Sequence, residues 1–450
     1  MSGDGDLMAR WQARVERELA REKDPKAAFA KLTTRLVDGM SIAPLYAELP
    51  AAPSRAPRTP TEVELASWPV TPTPDDLDLR EPEQSGLSPA EELATAALAL
   101  AERPSHPVVH VGLSPDILLQ IAKLRALRRL AQRLTELDSH PRPFLVHAHT
   151  SVRHFTRHDP WVNQLRNCAA VFAALLGQAD LVTPVPWDAP LGEPSDDAKR
   201  LADHTVRIAI HESHLVADDP AFGAFALEQL TEDLCAAAWA LAADPATLAT
   251  RIAATRSERH KRVARRQDFG GAFVGATLYP DLDEPTPTTS GPAPDLGPRL
   301  GLPFEALRTA AETADAKVFV ATLGPLARHM ARTTWVTHLL AAGGLRAVDP
   351  SPPEGYPSID AAAEAFAASG CTVAILSLAD PDWGEGAATL TALADSLSKR
   401  GATVMVAGRP TPALEASGST TIAGYLHAGL PALDILTDLH ARLGLTGGAA

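Results

Sequence analysis

The chain has 450 residues, 45% of them hydrophobic, and a formal net charge of −14. This length predicts two or three domains with ample cores, and an acidic balance without a basic stripe excludes nucleic acid and anionic membrane from the expected partners. No apolar run reaches the roughly 18 residues of a membrane span, and Met1-Ser2-Gly3-Asp4-Gly5-Asp6 is acidic where a signal peptide is basic, so a cytoplasmic chain is expected. Cys168, Cys235 and Cys371 stand apart without metal-ligand spacing and read as buried, reduced thiols.

Residues 1–49 begin with a helical pattern, and Asp24-Pro25 supplies an N-cap followed by proline at the first helical position. Asp38-Gly39 lies between the β-compatible stretches Leu32 to Val37 and Met40 to Tyr46 and predicts a hairpin closed by a two-residue turn. Nine prolines from Pro50 to Pro89 make 50–87 a linker or extended arm, too rich in proline for a helix or a central strand.

From residue 88 to 279, strands and helices alternate. Ser88-Pro89-Ala90-Glu91 is a capping box that opens a helix, and Val108-Val109-His110-Val111 is a short strand. Ser114-Pro115 caps a helix whose leucines recur at three and four residues while its arginines, Arg125 among them, fall on what reads as a solvated face. Phe144 to His149 and Leu181 to Val185 are further strands, with helices at Trp161–Leu176 and Ser195–Ile210. Repeated units of this kind predict a parallel sheet or barrel. A second proline-rich stretch, 280–303, separates this domain from 304–450. There Lys317–Leu323, Thr372–Leu378 and Ala402–Ala407 are near-continuous apolar strands, as in a doubly wound parallel sheet.

Several of these segments resemble methylmalonyl-CoA mutases. They are Leu32 to Tyr46, Ile121 to Leu130, His147-Ala148-His149-Thr150-Ser151, Asp159 to Arg166, Trp187 to Gly192, and Glu212-Ser213-His214-Leu215 with Asp219-Pro220. The chain is most similar to the small, or beta, subunit of the heterodimeric enzyme. The resemblance implies an α/β chain: a (β/α) barrel of the TIM type followed by a flavodoxin-like cobalamin-binding sheet. Here the barrel is partial, because a whole one takes about 250 residues and the strands that hold acyl-CoA in the family are replaced by the proline-rich stretch. Such a fragment is expected to leave a strand edge and apolar faces in need of cover.

The resemblance also implies where cobalt would be ligated. The family carries Asp-x-His-x-x-Gly after the first strand of the last domain, whereas this chain reads Gly324-Pro325-Leu326-Ala327-Arg328-His329. Leu326 stands where the Asp would be and Arg328 where the ligating His would be, with His329 one residue late. Ala379 to Trp383 and Gly408-Arg409-Pro410 also depart from what a cobalamin pocket requires. The expectations are no catalytic residue, no bound metal and no cofactor in this chain, with adenosylcobalamin in a partner. Arg125, His147 and His149 are candidate remnants of a substrate wall; a metal site would need a third ligand beyond the two histidines. The expected role is a noncatalytic, small-subunit-like partner that pairs with a catalytic large (alpha) subunit through the N-terminal arm, the partial barrel and the last domain, as a heterodimer. The family is one of isomerases, but this chain alone is expected to be inactive. A scaffold or regulatory protein derived from the fold, and an independent acyl-CoA-binding protein or isomerase, are the alternatives.

Overall fold

The computed structural model describes residues 4–22, 24–50, 63–103, 105–215, 219–266, 272–285, 287, 289–349, 351, 353–378, 387–412, 414 and 419–445. Helices Asp4–Leu19 (α1) and Pro25–Ala30 (α2) come first. Asp24 caps α2 by accepting from the Ala27 backbone at 3.0 Å. Strands Thr34–Arg35 (β1) and Ser41–Ile42 (β2) pair antiparallel, so the hairpin is present. Its turn differs from the expected two-residue one. Leu36 N–H bonds to Met40 and Gly39 N–H to Leu36, which makes a three-residue loop with Gly39 at φ +87°. A glycine at the left-handed position completes this loop type without a Cβ penalty. Leu36 is buried in the chain's own core, and Arg251 donates to the Asp38 carbonyl.

The proline-rich stretch is not a free linker where it is described. Glu64–Leu65 (β3) and Leu77–Leu79 (β4) are the two edge strands of a five-stranded parallel sheet, and Arg80–Gln84 (α3) follows with Glu83 buried. Proline density rules out a central strand but not a two- or three-residue edge strand, and Pro69, Pro72 and Pro74 all fall between the two. Pro53, Pro57 and Pro60 lie outside the described residues.

Pro89–Glu102 (α4) starts on the expected capping box: the Ser88 backbone donates to the Glu91 carboxylate at 2.8 Å and the Glu91 backbone to Ser88 Oγ at 3.4 Å. Then come Val108–Leu113 (β5), Ile117–Asp138 (α5), Leu145–Thr150 (β6), Val162–Leu176 (α6), Leu181–Thr183 (β7) and Asp196–His211 (α7). Phe225–Ala242 (α8) and Pro245–Ala264 (α9), which the pattern reading left unassigned, complete the series. The sheet order is β3-β7-β6-β5-β4, parallel throughout. Val109, Val111, Leu113, Val146, Ala148 and Val182 form its core face under the helices. Each fully buried leucine there, such as Leu113, Leu124 or Leu127, stabilises by about 1.5–3 kcal/mol relative to exposure.

The opposite face is mixed rather than apolar, with Val108, Leu145 and Leu181 beside polar groups. Strand alternation presents His110, Gly112, His147, His149 and Thr183 there. The stretch between β3 and β4 bonds to this face through the Ala66 carbonyl and Asp76.

The second sheet is built from Lys317–Thr322 (β8), Arg346–Val348 (β9), Val373–Ser377 (β10), Thr403–Ala407 (β11) and Ile422–Leu426 (β12). Its order, β12-β11-β10-β8-β9, is that of a flavodoxin-like sheet. Leu302–Thr313 (α10), Leu326–Ala342 (α11), Ile359–Ser369 (α12), Ala387–Ser398 (α13) and Ala432–Arg442 (α14) accompany it. Val318, Val320 and Ile375 enter one buried cluster while Phe319, Ala321, Ala374 and Leu376 enter another. Both faces are therefore covered, which is why these strands are apolar without alternation.

The chain divides into two compact units: Met1–Phe155, Pro160–His260 and Pro287–Arg299 in one, and Thr156–Asp159, Lys261–Thr286 and Leu300–Ala450 in the other. The stretch 280–303 is thus shared out instead of acting as a simple spacer. In the first unit Gln84 Nε2 donates to the Leu296 and Pro298 carbonyls at 2.9 and 2.7 Å; in the second Arg346 pairs with Asp283 at 2.8 Å. Among the described residues no helix is long and apolar enough to cross a membrane.

Candidate functional site

His147 and His149 point to one face of β6, as their spacing requires, and the parallel register sets His110 of β5 opposite His147. The ring centroids lie 4.1 Å apart for His147 and His149, 4.9 Å for His110 and His147, and 5.1 Å for His110 and His149. All three residues are buried. Sequence reasoning missed His110, a lone histidine in an apolar strand. His154 and His158, close to His149 in sequence, lie elsewhere: His154 is half-buried near Arg153, Arg166 and Arg259, and His158 belongs to the other compact unit.

Hydrogen bonding orders the cluster. His110 Nε2 faces Asp76 Oδ2 at 3.4 Å, and His110 Nδ1 is 2.8 Å from His149 Nε2. An ionised carboxylate only accepts, so Nε2 of His110 carries the proton and its Nδ1 accepts from His149. His147 Nε2 lies 2.8 Å from Thr183 Oγ1, whose own proton goes to the Ala66 carbonyl at 2.6 Å. Burial, and then the neighbouring histidines and Arg80, push the His147 imidazole down to about 4 and that of His149 lower still. Burial likewise lowers His110, against the pull of Asp76. The three rings are neutral at pH 7.

Arg125 is not part of this cluster, nor is it on a solvated face. It is 1% exposed, with Nη1 at 3.1 and 2.9 Å from the Asp219 carboxylate oxygens and Nη2 at 2.7 Å from Glu228 Oε1. Lys123 and Arg128 of the same helix are buried too, Lys123 donating to Glu92 at 2.9 Å and to the Gly112 carbonyl at 2.6 Å. Glu83 sits in the same polar layer, paired with Arg153 at 2.7 Å and accepting from Ser151. Burial alone would raise its carboxyl, but Arg153 and Lys123 hold it below the usual range. The other recurring motifs also stitch the fold together. Thr150 Oγ1 accepts from the Val185 backbone at 2.8 Å, Asn163 donates to the Trp187 carbonyl at 2.9 Å, and Asp188 takes the Ser195 hydroxyl at 2.7 Å.

In the second sheet, Gly324, Leu326, Arg328 and His329 follow β8. Leu326 and Arg328 are exposed in the first turn of α11. His329 is buried, with Nδ1 3.0 Å from Thr333 Oγ1, which in turn lies 3.0 Å from Ser377 Oγ. Pro353–Gly355 covers Gly324: the Leu326 backbone donates to the Pro353 carbonyl at 2.9 Å, and a Cβ on Gly355 would fall 2.4 Å from the Gly324 oxygen. These residues do not fit cobalamin, whose cobalt would need an accessible neutral imidazole at this strand end. A cavity of about 350 Å³ lies beyond β11 and β12, lined by Arg332, Trp335, Gly408, Arg409 and His427. Ala379 to Trp383 lie outside the described residues.

A family description for methylmalonyl-CoA mutase matches residues 101–266, the stretch that holds β5 to β7 and their helices. Over this stretch the chain is similar to methylmalonyl-CoA mutases. It is 42% identical over 292 residues to the methylmalonyl-CoA mutase small subunit of Streptomyces virginiae, covering 58% of this chain and 46% of that protein. A probable small subunit of Mycobacterium bovis is 36% identical over 259 residues, 52% and 42% of the two chains. A methylmalonyl-CoA mutase large subunit of Porphyromonas gingivalis is 33% identical over 129 residues, 27% and 18%. The matched part of the chain thus spans less than half the length of these relatives.

Proposed function

We propose that this chain is a noncatalytic, small-subunit-like partner of an adenosylcobalamin-dependent methylmalonyl-CoA mutase, the complex interconverting methylmalonyl-CoA and succinyl-CoA in the cytoplasm. The observation that carries the reading is the β8 loop: the position for a cobalt-ligating histidine is an exposed arginine, and the only neighbouring imidazole in that loop, His329, is buried on Thr333. Two further observations support it. Relatives matched over 259 to 328 residues are small subunits, and one organism among the relatives has both a small and a large subunit. The motifs shared with the family work in this chain as internal stitching, with Arg125 locked between two carboxylates.

In this assembly the cofactor and the reacting atoms belong to the large subunit, and this chain stabilises its partner by binding only the folded form. The test is the visible absorption of cobalamin mixed with the purified chain, alone and with a large subunit carrying Asp-x-His-x-x-Gly. The expected result is an unchanged spectrum with this chain alone and a bound-cofactor spectrum only when the large subunit is present. A bound-cobalamin spectrum with the isolated chain would overturn the reading.

A further inference from the structure

The polar face of the first sheet holds three imidazoles that no part of the proposed role uses. Their placement is set by backbone register: His110 and His147 are paired across β5 and β6, and His149 lies one pleat further on the same face. One ring nitrogen from each falls within 4.8 Å of the other two, and the closest pair is 2.8 Å apart. Three nitrogens around a tetrahedral ion at 2.0–2.1 Å sit about 3.3 Å from one another, so small rotations of the rings bring the observed set to that spacing. The residues are 3%, 3% and 6% exposed for His110, His147 and His149, so the three rings are shielded from bulk solvent.

We propose that His110, His147 and His149 bind one divalent transition-metal ion of the zinc type, with its fourth position open to a small ligand such as water. Three protein nitrogens with an open fourth position are one of the arrangements in which zinc is held, and imidazole selects zinc, copper or nickel over magnesium or calcium. The supporting group is already in place. With His110 ligating through Nδ1, its Nε2–H points at Asp76, the carboxylate–histidine pairing that orients metal ligands. His149 then ligates through Nε2 and carries its one proton on Nδ1, so the ion takes the place of the hydrogen now shared between the two rings. The nearby positive charge of Arg80 is balanced by Asp78, at 2.9 and 2.8 Å. The proposal rests on the sheet geometry alone and is independent of the partner subunit.

The experiment is a calorimetric titration of the untagged, chelator-treated full chain with zinc, beside the His110→Gln and Asp76→Asn variants, each checked by circular dichroism. The expected result is one equivalent of zinc bound by the parent chain, binding lost in H110Q, and affinity reduced about 10–100-fold in D76N, the usual cost of removing a carboxylate behind a ligating histidine. No stoichiometric binding by the parent, or the same affinity in a folded H110Q, would overturn the proposal. Should H110Q fail to fold, D76N decides, and an unchanged affinity there overturns it equally.

Discussion

Arg125 offers the sharpest test of how this fold uses its inherited residues. Its guanidinium is 1% exposed and makes contacts at 2.7–3.1 Å with Asp219 and Glu228, carboxylates whose side chains are themselves 4% and 1% exposed. Arg125→Ala strips that guanidinium from two buried anions, and removing one partner of a buried pair typically costs about 3–5 kcal/mol. At about 2–4 °C per kcal/mol for a unit of this size, the melting temperature falls by about 6–20 °C. Arg125→Lys keeps the charge but not the planar fork, so one carboxylate loses its bond and the loss is intermediate. The control is Arg129→Ala, whose partner Glu232 is 42% exposed and whose pair therefore contributes about 0–1 kcal/mol. Urea denaturation of the full chain followed by circular dichroism measures all three. A cost below about 0.5 kcal/mol for Arg125→Ala, the range of an ordinary surface change, or one equal to that of Arg129→Ala, would refute the clamp.

Two further outcomes follow from buried titratable groups. Burial pushes the Cys235 thiol up to about 12, whereas Cys168 is exposed, so alkylation at pH 8 read by mass spectrometry should label Cys168 and leave Cys235 until the chain is denatured; equal native rates contradict the packing. His440 is buried with Nε2 donating to the Gly343 carbonyl at 2.9 Å, and burial holds its imidazole below the ordinary range. Below about pH 6.5 the unfolded chain takes up a proton that the folded chain refuses, so stability present at pH 7 is lost as pH falls from there toward the folded value. His440→Gln keeps a donor for Gly343 and should shrink the fall in melting temperature of the second unit between pH 7 and 5; an identical fall would contradict the assignment.

Much of the architecture is legible in the residues. The apolar runs at β5, β6, β8, β10 and β11 announce strands, and Ser88 with Glu91 marks a helix start that the hydrogen bonds reproduce. What escaped reading depends on long-range placement. His110 becomes part of a cluster only once the register sets it beside His147, and register is a pairing between distant segments. Arg125 and Arg128 lie opposite the leucines of α5, which reads as a wet face, but that helix is packed against α4, α6 and α8 and so has little wet face to offer. Proline density between 63 and 80 argued for a tether because it excludes central strands; two edge strands and a covering segment tolerate the same composition. The reading of the loop after β8, by contrast, is local and needs only Arg328 and its neighbours.

The most direct measurement of the central claim is analytical ultracentrifugation of the chain mixed with a methylmalonyl-CoA mutase large subunit. The account predicts a single species heavier than either chain, formed by the full protein and retaining the large subunit's cobalamin absorbance. Two independent boundaries, each at the position of its isolated chain across the whole concentration range, would contradict it.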